Sequence, residues 1–348
     1  MDRRIKLSHV RQCSFRHTRG LTKKDLLAKN VRNKVAASKD DSFMIMPPTY
    51  ALPGEFSSFV AAFTSIGKSD QNLWIMKPVG LSRGRGIRVV ADIGQVSYSS
   101  PVVLQRYIAD PFLPFANMKF DLRMYVLVTS FSPLEAFVYR EGLARFATRP
   151  FSLKSDTLSD LRVHLTNTSI QREFGDNLDT THPAFLAGKD GSGNKVAFTW
   201  LMGRLRSEGV NTEELWGRIV DCCRKALLAA GDTVPHQPNA FEIFGFDLMF
   251  DKHRRCWLIE INSSPSLGCE SPLDFKVKGS LIRDTVLLVD PPRYDRRAVY
   301  DACKERLSNP KTMQDAYWGG KRRLVDRLPR KYGERPRRLG NYTRIYPI

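Results

Sequence analysis

Strands, then helices, then strands again: this order predicts an α+β, mixed α/β fold for the 348-residue chain. Three stretches carry the prediction. FDLRMYVLV (120–128) alternates with period two, and EAFVYR (135–140) does so again after the turn SFSP. TEELWGRIVDCCRKALLAAG (212–231) instead gathers Leu215, Ile219, Cys223, Ala226 and Leu227 on one helical face, with acids at its start and Gly231 to stop it. IFGFDLMF (243–250) and CWLIEIN (256–262) flank a short turn and read as a hairpin.

The remaining elements follow in order. LTKKDLLAKN (21–30) reads as a helix with Thr22 at its N-cap. The prolines of PPTYALPG (47–54) separate this N-terminal piece from the next lobe. Residues 73–110 read as strand, glycine loop, strand and strand. Beyond 290, PPRYDRRAVYDACKERL is a basic helix candidate, and the last 40 residues are basic with little periodicity. No internal repeat or low-complexity tract is present.

Composition narrows the function. An apolar fraction of 42% with 20 Phe is that of a packed, enzyme-like body. No run of 18 apolar residues could span a membrane, and MDRRIKLSHV lacks the apolar core of a secretory signal. The six cysteines make no CxxC and the six histidines no zinc-type spacing, which reads as free thiols in a reducing compartment. The net charge of +19 sits at the ends. Residues 1–40 hold 12 Lys/Arg against 3 Asp/Glu and residues 291–348 hold 16 against 6, which leaves the middle, of the chain's 55 and 36, balanced at 27 each. A neutral body with basic ends suits an acidic polymer, and removing 291–348 is expected to weaken binding of that partner more than binding of a small ligand. The basic ends carry no RRM, KH or helix-turn-helix signature, so nucleic acid is not expected as the partner.

Chemistry enters with WLIEINSSPSL (257–267), a strand that carries a carboxylate and an amide two positions apart. Period two puts Cys256, Leu258, Glu260 and Asn262 on one face, and Ile243, Gly245, Asp247 and Met249 on one face of the preceding strand. If Asp251 pairs with Cys256, Asp247 lies opposite Glu260, about 5 Å away. Carboxylates that close repel unless one is protonated or a cation binds both. Asn262 adds a neutral oxygen, a set that suits a hard cation, Mg2+ above all. The plainer reading is ordinary polarity on a half-exposed strand.

WIMKPVGLSRGRGIRVV (74–90) is a strand, a loop with glycines at 80, 84 and 86, and a second strand. Such a loop lets backbone N–H groups approach a phosphate while Arg83 and Arg85 supply charge, although a glycine turn with surface arginines would read the same. It is neither a Walker loop nor a dinucleotide fingerprint. Lys77, alone in an apolar strand, needs an anion. On the strand KFDLRMYVL, Lys119, Asp121, Arg123 and Tyr125 share one face while Phe120, Leu122, Met124 and Val126 face a core. The charged stripe is either a surface ion-pair ladder or a catalytic floor, in which Arg123 neutralises a transferring phosphoryl. Together these predict a nucleotide cleft between two lobes, with the glycine loop as lid and the acid-lined hairpin as metal platform.

At this point WIMKP…RGRGI, VLQRYI, KFDLRMYVLVTS, YREGLARFAT, HLTNTSIQ, FEIFGFDLMF and WLIEINSSPSL resemble, in order from about Leu21 to Pro291, the tubulin–tyrosine ligase-like proteins of the ATP-grasp superfamily, with YREGLAR and SPSL nearer its glutamate-adding members. The resemblance implies an ATP-grasp fold that uses ATP and Mg2+ to form an acyl-phosphate on a protein carboxylate, which an amino acid's amine then attacks. It implies nucleotide contacts at Lys24, Lys77, Arg83, Gly86, Ile87, Gln105, Arg106, Tyr107, Ile108, Lys119, Asp121, Thr166 and Asn167. It implies catalytic roles for Arg123, Arg145 and Glu260, metal ligands at Asp247, Glu260 and Asn262, and contacts from Arg145 and Lys195 to the incoming amino acid.

The organisation it implies is a shortened basic N-terminal lobe (1–50), a central lobe with lid and hinge (51–115), a C-terminal ATP-grasp lobe with the metal platform (116–290), and a basic extension, helical then poorly ordered (291–348). Expected partners are tubulin or microtubules, through their acidic tails, and a free amino acid, glutamate. Neither nucleic acid nor membrane is expected, and the protein is read as a cytoplasmic monomer at the cytoskeleton, including cilium, flagellum or basal body. Thr168 follows HLTN where many glutamate-adding relatives carry an aromatic residue, so tyrosine or glycine as the added amino acid stays open. A microtubule binder without catalysis is the rival class, and every charged position expected of the site is filled.

Overall fold

The alternating stretches of the sequence form two antiparallel sheets. The computed structural model describes residues 13–67, 72–81, 84–173, 194–237, 240–291, 297, 300, 304, 330 and 332–348. The smaller sheet has the order β1-β4-β2-β3 and is built from β1 (Thr49–Leu52), β2 (Trp74–Pro78), β3 (Arg88–Val90) and β4 (Val102–Arg106). The larger has the order β10-β6-β5-β8-β9, with β7 also paired to β6. Its strands are β5 (Met118–Phe131), β6 (Leu134–Pro150), β7 (Lys195–Ala197), β8 (Glu242–Phe250), β9 (Cys256–Ser263) and β10 (Tyr342–Tyr346). The helices are α1 (Arg19–Thr22), α2 (Lys24–Ser38), α3 (Phe56–Ile66), α4 (Leu161–His164), α5 (Thr168–Glu173), α6 (Phe198–Ser207), α7 (Thr212–Ala230) and α8 (Pro272–Val289). The mixed α/β class predicted from the sequence is the one observed.

Period two on β5 sorts its side chains as expected. Phe120, Leu122, Met124 and Val126 are buried in the main core, against α2, α6 and α7. Each contributes about 1.5–3 kcal/mol by leaving water. The opposite face changes character along the strand. Lys119, Asp121 and Arg123 come first, and then Tyr125 and Leu127 pack beneath Leu273, Val277 and Leu281 of α8. The polar half of that face is left for a site. The smaller sheet has its own core, where Trp74 and Leu104 pack on Phe59 of α3.

α7 starts where Asn211 accepts a hydrogen bond from the Glu214 N–H, and it ends as Gly231 enters a 3-10 turn. Its predicted apolar face is the buried one. Thr22 is not the N-cap of the first long helix. It closes the separate turn α1 with its hydroxyl on Thr18 O, and α2 starts after Lys23.

The hairpin register departs from expectation at one point. Asp247 does lie opposite Glu260, but Cys256 pairs with Phe250 rather than Asp251. One extra residue on β9 between Leu258 and Glu260 makes up the difference, a β-bulge at Ile259. The bulge reverses the facing of the strand. Cys256, Leu258 and Ile261 enter the core, while Ile259, Glu260 and Asn262 line the cleft. The single face predicted for Cys256, Leu258, Glu260 and Asn262 is therefore split in two.

The C-terminal tail also differs from its expected disorder. Tyr342–Tyr346 adds β10 to the edge of β6, and Tyr342 and Ile345 are buried. The tail docks on Glu135, whose carboxylate is buried and accepts from Arg330, Arg344 and Thr129. Burial opposes the charged form, but the Arg330 and Thr129 donors hold the Glu135 carboxyl below its usual range. Deleting 330–348 removes both arginines and the burial of Tyr342 and Ile345, each worth about 1.5–3 kcal/mol, so a loss of several kcal/mol is expected from urea unfolding. A deletion of 291–348 consequently tests the larger sheet as well as partner binding. Most of the predicted basic helix after 290 lies outside the described residues.

Among the described residues, no helix is long and apolar enough to cross a membrane. Cys13, Cys222, Cys223, Cys256 and Cys269 are free thiols, as the spacing predicted, and Cys303 lies outside the described residues.

Candidate functional site

The two sheets face each other across a cleft that opens to solvent and encloses a cavity of about 130 Å³. Apolar side chains come from both sides: Ile75, Ile87 and Leu81 from the smaller sheet and its loop, Met249 and Ile259 from the larger. Such a slot holds a flat, apolar-faced group. Most of the charged residues lie on the larger sheet, with Lys77 on β2 of the smaller one and Lys24 on α2.

Register explains their order. On β6 and β5, Arg145 stands opposite Asp121; on β5 and β8, Arg123 stands opposite Asp247; on β8 and β9, Asp247 stands opposite Glu260. Arg145 Nε and Nη2 donate to Asp121 at 2.7 and 2.6 Å, and Nη2 also reaches Asp247 Oδ2 at 3.0 Å. Arg123 grips Asp247 with two donors, at 2.5 and 3.0 Å. Gly245 makes room for it, because a Cβ there would sit 3.2 Å from Arg123 Cδ. Burial works against a charged Asp247, yet Arg123 and Arg145 hold its carboxyl far below the usual carboxylate range. Thr166 Oγ1 completes Asp121 at 2.7 Å.

The repulsion expected between Asp247 and Glu260 is thus met by protein cations. Asp247 has its two arginines, and Glu260 pairs with Lys24 at 3.1 Å. Asn262 Nδ2 lies 3.3 Å from Glu260 Oε1 and 3.4 Å from Gly245 O. Its amide nitrogen is engaged, so the oxygen is the end left for a cation. Two carboxylates and an amide oxygen at adjacent register positions are a donor set that fits Mg2+. An aspartate can take arginine hydrogen bonds and a cation together, having about four lone-pair sites. Among the described residues no three His, Cys, Asp or Glu side chains converge, so the platform supplies two carboxylates and one amide oxygen.

Lys77 and Lys119 are different. Both are buried, and their ammonium groups meet neutral acceptors: Gln105 Oε1 at 2.6 Å for Lys77, Tyr107 Oη at 2.8 Å and His164 O at 3.0 Å for Lys119. Burial lowers Lys77 to about 8 and Lys119 to about 7. His164, buried and beside Lys119, falls to about 4, and its Nδ1 lies 2.9 Å from Tyr107 Oη. Two buried lysines with no carboxylate in contact among the described residues call for an anionic ligand.

The other predicted residues divide. Lys24, Ile87, Gln105, Arg106, Tyr107, Ile108, Thr166 and Asn167 all line the cleft. The side chain of Gln105 is occupied with Lys77 and Thr49, and that of Arg106 turns to Asn72 Oδ1 at 2.9 Å. Gly86 has φ +70° and packs on Pro78 outside the lining, while the neighbouring Gly84 lies in it at φ +78°, against Ile170 and Asn167. Arg83 lies outside the described residues. Lys195 does not line the cleft. It is buried beside Arg145 and pairs with Asp274 of α8 at 2.7 Å. Sequence reasoning missed His164, Met249 and Ile259. The first stands two residues before the Thr166–Asn167 pair, and the last was hidden by the bulge.

Comparison with known proteins adds an independent finding. The model of the tubulin-tyrosine ligase family matches residues 5–297. Tubulin polyglutamylase TTLL5 of Mus musculus is 36% identical over 304 residues, 83% of this chain and 22% of the relative. Tubulin polyglutamylase TTLL6 of Homo sapiens is 34% identical over 299 residues, 82% and 32% respectively. A probable beta-tubulin polyglutamylase of Tetrahymena thermophila is 30% identical over 348 residues, 94% and 28%. The chain therefore spans less than a third of the length of these curated relatives.

Proposed function

The chain belongs to the tubulin-tyrosine ligase family, and from this we propose that it is an ATP- and Mg2+-dependent ligase that adds an amino acid, glutamate, to glutamates of tubulin's acidic tails. The observation that carries the reading is the pairing of two buried lysines, whose ammonium groups meet only neutral acceptors among the described residues, with an acid platform across one cleft. The polyglutamylase names of the relatives support glutamate as the added residue and tubulin as the acceptor. The basic ends would dock the acidic tails, at microtubules of the cytoplasm, cilium, flagellum or basal body.

The residues divide the work. Ile75, Ile87, Met249 and Ile259 would sandwich the base, and the segment Arg106–Ile108 would edge it. Lys77 and Lys119 would take the phosphates. Asp247, Glu260 and Asn262 would hold Mg2+, which when bound neutralises phosphate charge. Arg145, fixed in the cleft lining by Asp121 and Asp247, would offer donors that need no rearrangement as charge develops, and Arg123, which pairs with Asp247 outside the lining, would hold that carboxylate in place. Gly84 and Leu81 would shut water from the activated carboxyl group. Arg145, with the buried Lys195 beside it, would meet the incoming amino acid's carboxylate.

The test is direct: tubulin, ATP and one of glutamate, glycine or tyrosine are incubated with the protein, and the tails are weighed by mass spectrometry. Increments of glutamate alone are expected. No increment with any of the three overturns the ligase, and increments of glycine or tyrosine alone overturn the choice of glutamate.

The lysines give a pH signature. In the free protein Lys119 and Lys77 titrate near 7 and 8, and bound phosphates favour their charged forms. Binding therefore takes up protons, and affinity falls as pH rises from about 7 to 9, by at most roughly tenfold per unit for each lysine. Calorimetry at pH 8 in buffers of differing ionisation enthalpy reads the uptake. An uptake of zero would mean that these lysines do not meet the phosphates.

A further inference from the structure

Three consecutive carbonyls on one wall of the cleft are each gripped by a buried side chain. His164 O accepts from Lys119 Nζ at 3.0 Å, Leu165 O from Gln171 Nε2 at 2.5 Å, and Thr166 O from Asn194 Nδ2 at 3.0 Å. The donors arrive from three places: β5, α5 and the residue before β7. All three are more than nine-tenths buried. Lys119 belongs to the site above, but neither amide lines the cleft.

Behind the loop both amides are tied to β6. Gln171 Oε1 accepts from Thr148 Oγ1. Asn194 Nδ2 donates a second time, to Phe146 O at 2.8 Å, and Asn194 O accepts from Phe146 N at 2.8 Å. Phe146 and Thr148 follow Arg145 on that strand. The amides therefore fasten residues 165–166 to the strand that carries Arg145.

The loop needs such help. Leu165 and Thr166 lie between α4 and α5, where no strand ladder supplies partners for their carbonyls, whereas Asn167 O already accepts from the N–H groups of Ile170 and Gln171. The loop also carries two things of use to the cleft. Thr166 bonds Asp121, and Asn167 with Ile170 forms the seat against which Gly84 rests. A buried amide is costly unless its hydrogen bonds are used: Gln171 uses both ends, and Asn194 uses its Nδ2 twice while its Oδ1 is buried without a hydrogen bond.

We propose that Gln171 and Asn194 are positioning residues that hold Thr166 and Asn167 at a fixed distance from Arg145 and Asp121, so that the phosphate-facing wall is set before substrate arrives. The proposal rests on the ligase reading above. The base-binding half of the cleft is untouched by the two amides. Losing one is therefore expected to change the nucleotide KM less than about threefold while kcat falls roughly 10- to 100-fold.

Gln171→Leu and Gln171→Glu in the full chain test it. As a carboxylate, Glu at this position cannot donate to Leu165 O. Protonated, it offers an O–H to Leu165 and a carbonyl to Thr148, which reproduces the amide. Activity of Gln171→Glu relative to wild type should rise as pH falls from about 8 to 6, because burial among carbonyls raises a carboxyl pKa. Gln171→Leu should stay low throughout. The titratable groups around the loop are Lys119, His164, Arg145 and Asp121, and taking the ratio to wild type cancels them. Hydrogen exchange of residues 164–170 should quicken in Gln171→Leu while the global melting point still reports a folded protein. A kcat within twofold of wild type, unchanged exchange, or a Gln171→Glu profile parallel to wild type overturns the proposal. If the wild-type chain ligates nothing, the proposed function falls, and the exchange measurement alone decides the clamp.

Discussion

Replacing Glu260 with glutamine is expected to abolish ligation and leave the protein folded. The carboxylate is one of two on the platform proposed for Mg2+, and it faces the cleft from the outgoing side of the Ile259 bulge. Glutamine keeps the volume and one oxygen but loses the charge. The expected drop in kcat is about a thousandfold, the scale seen when a group that stabilises charge on a transferring phosphoryl is removed. Stability should hardly move. Glu260 is 24% exposed and its partner Lys24 is 21% exposed, a geometry in which an ion pair is worth less than about 1 kcal/mol. Tail mass spectrometry at saturating Mg2+ measures the first effect and a thermal melt the second. Ligation within tenfold of wild type would remove Glu260 from the machinery. A large fall in melting point would show that the Lys24 pair holds the fold and not the chemistry.

The facing of Asp247 and Glu260 was read from period two, although of the two strands only β8 keeps that period unbroken. The agreement hides two displacements that cancel. The turn begins one residue earlier than the sequence suggested, and β9 then gains a residue at Ile259. A bulge leaves no mark in an apolar run such as WLI, so Ile259 could not be placed in the cleft, nor Cys256 and Leu258 in the core. Lys77 was legible for the opposite reason, since a lysine amid LWIMKP contradicts its surroundings. Gln171 and Asn194 were not, because their partners are backbone carbonyls, which carry no residue identity. The partner of Lys195 was out of reach too. Asp274 lies 79 residues away in the sequence, in the first turn of α8. β10 escaped because Tyr342 and Ile345 stand three residues apart, out of period two, at a register irregularity, and only pairing with the long strand β6 makes them a strand.

Replacing Asp247 with asparagine should give the converse of the glutamate variant, a loss of stability together with activity. Asp247 has a side chain only 4% exposed and is the shared acceptor of Arg123 and Arg145. Without its charge Arg123 has no carboxylate, and Arg145 keeps Asp121 alone. Leaving a guanidinium buried and uncompensated costs ~3–5 kcal/mol. The sign of the pH dependence follows from the depressed carboxyl. Its contribution is present at every pH above the unfolded value of about 4 and is lost as pH falls through the still lower folded value. Urea unfolding should therefore separate variant from wild type by several kcal/mol at pH 7, and the gap should close as the medium is acidified below about pH 4. A gap under about 1 kcal/mol at pH 7 would mean that the arginines find other partners, and that the floor of the cleft is not held by this carboxylate. The comparison of the two neighbours then separates their duties: the same loss of ligation, with the fold weakened in one variant and unchanged in the other, is what a shared metal platform built over one structural carboxylate and one that mainly serves the ligand must give.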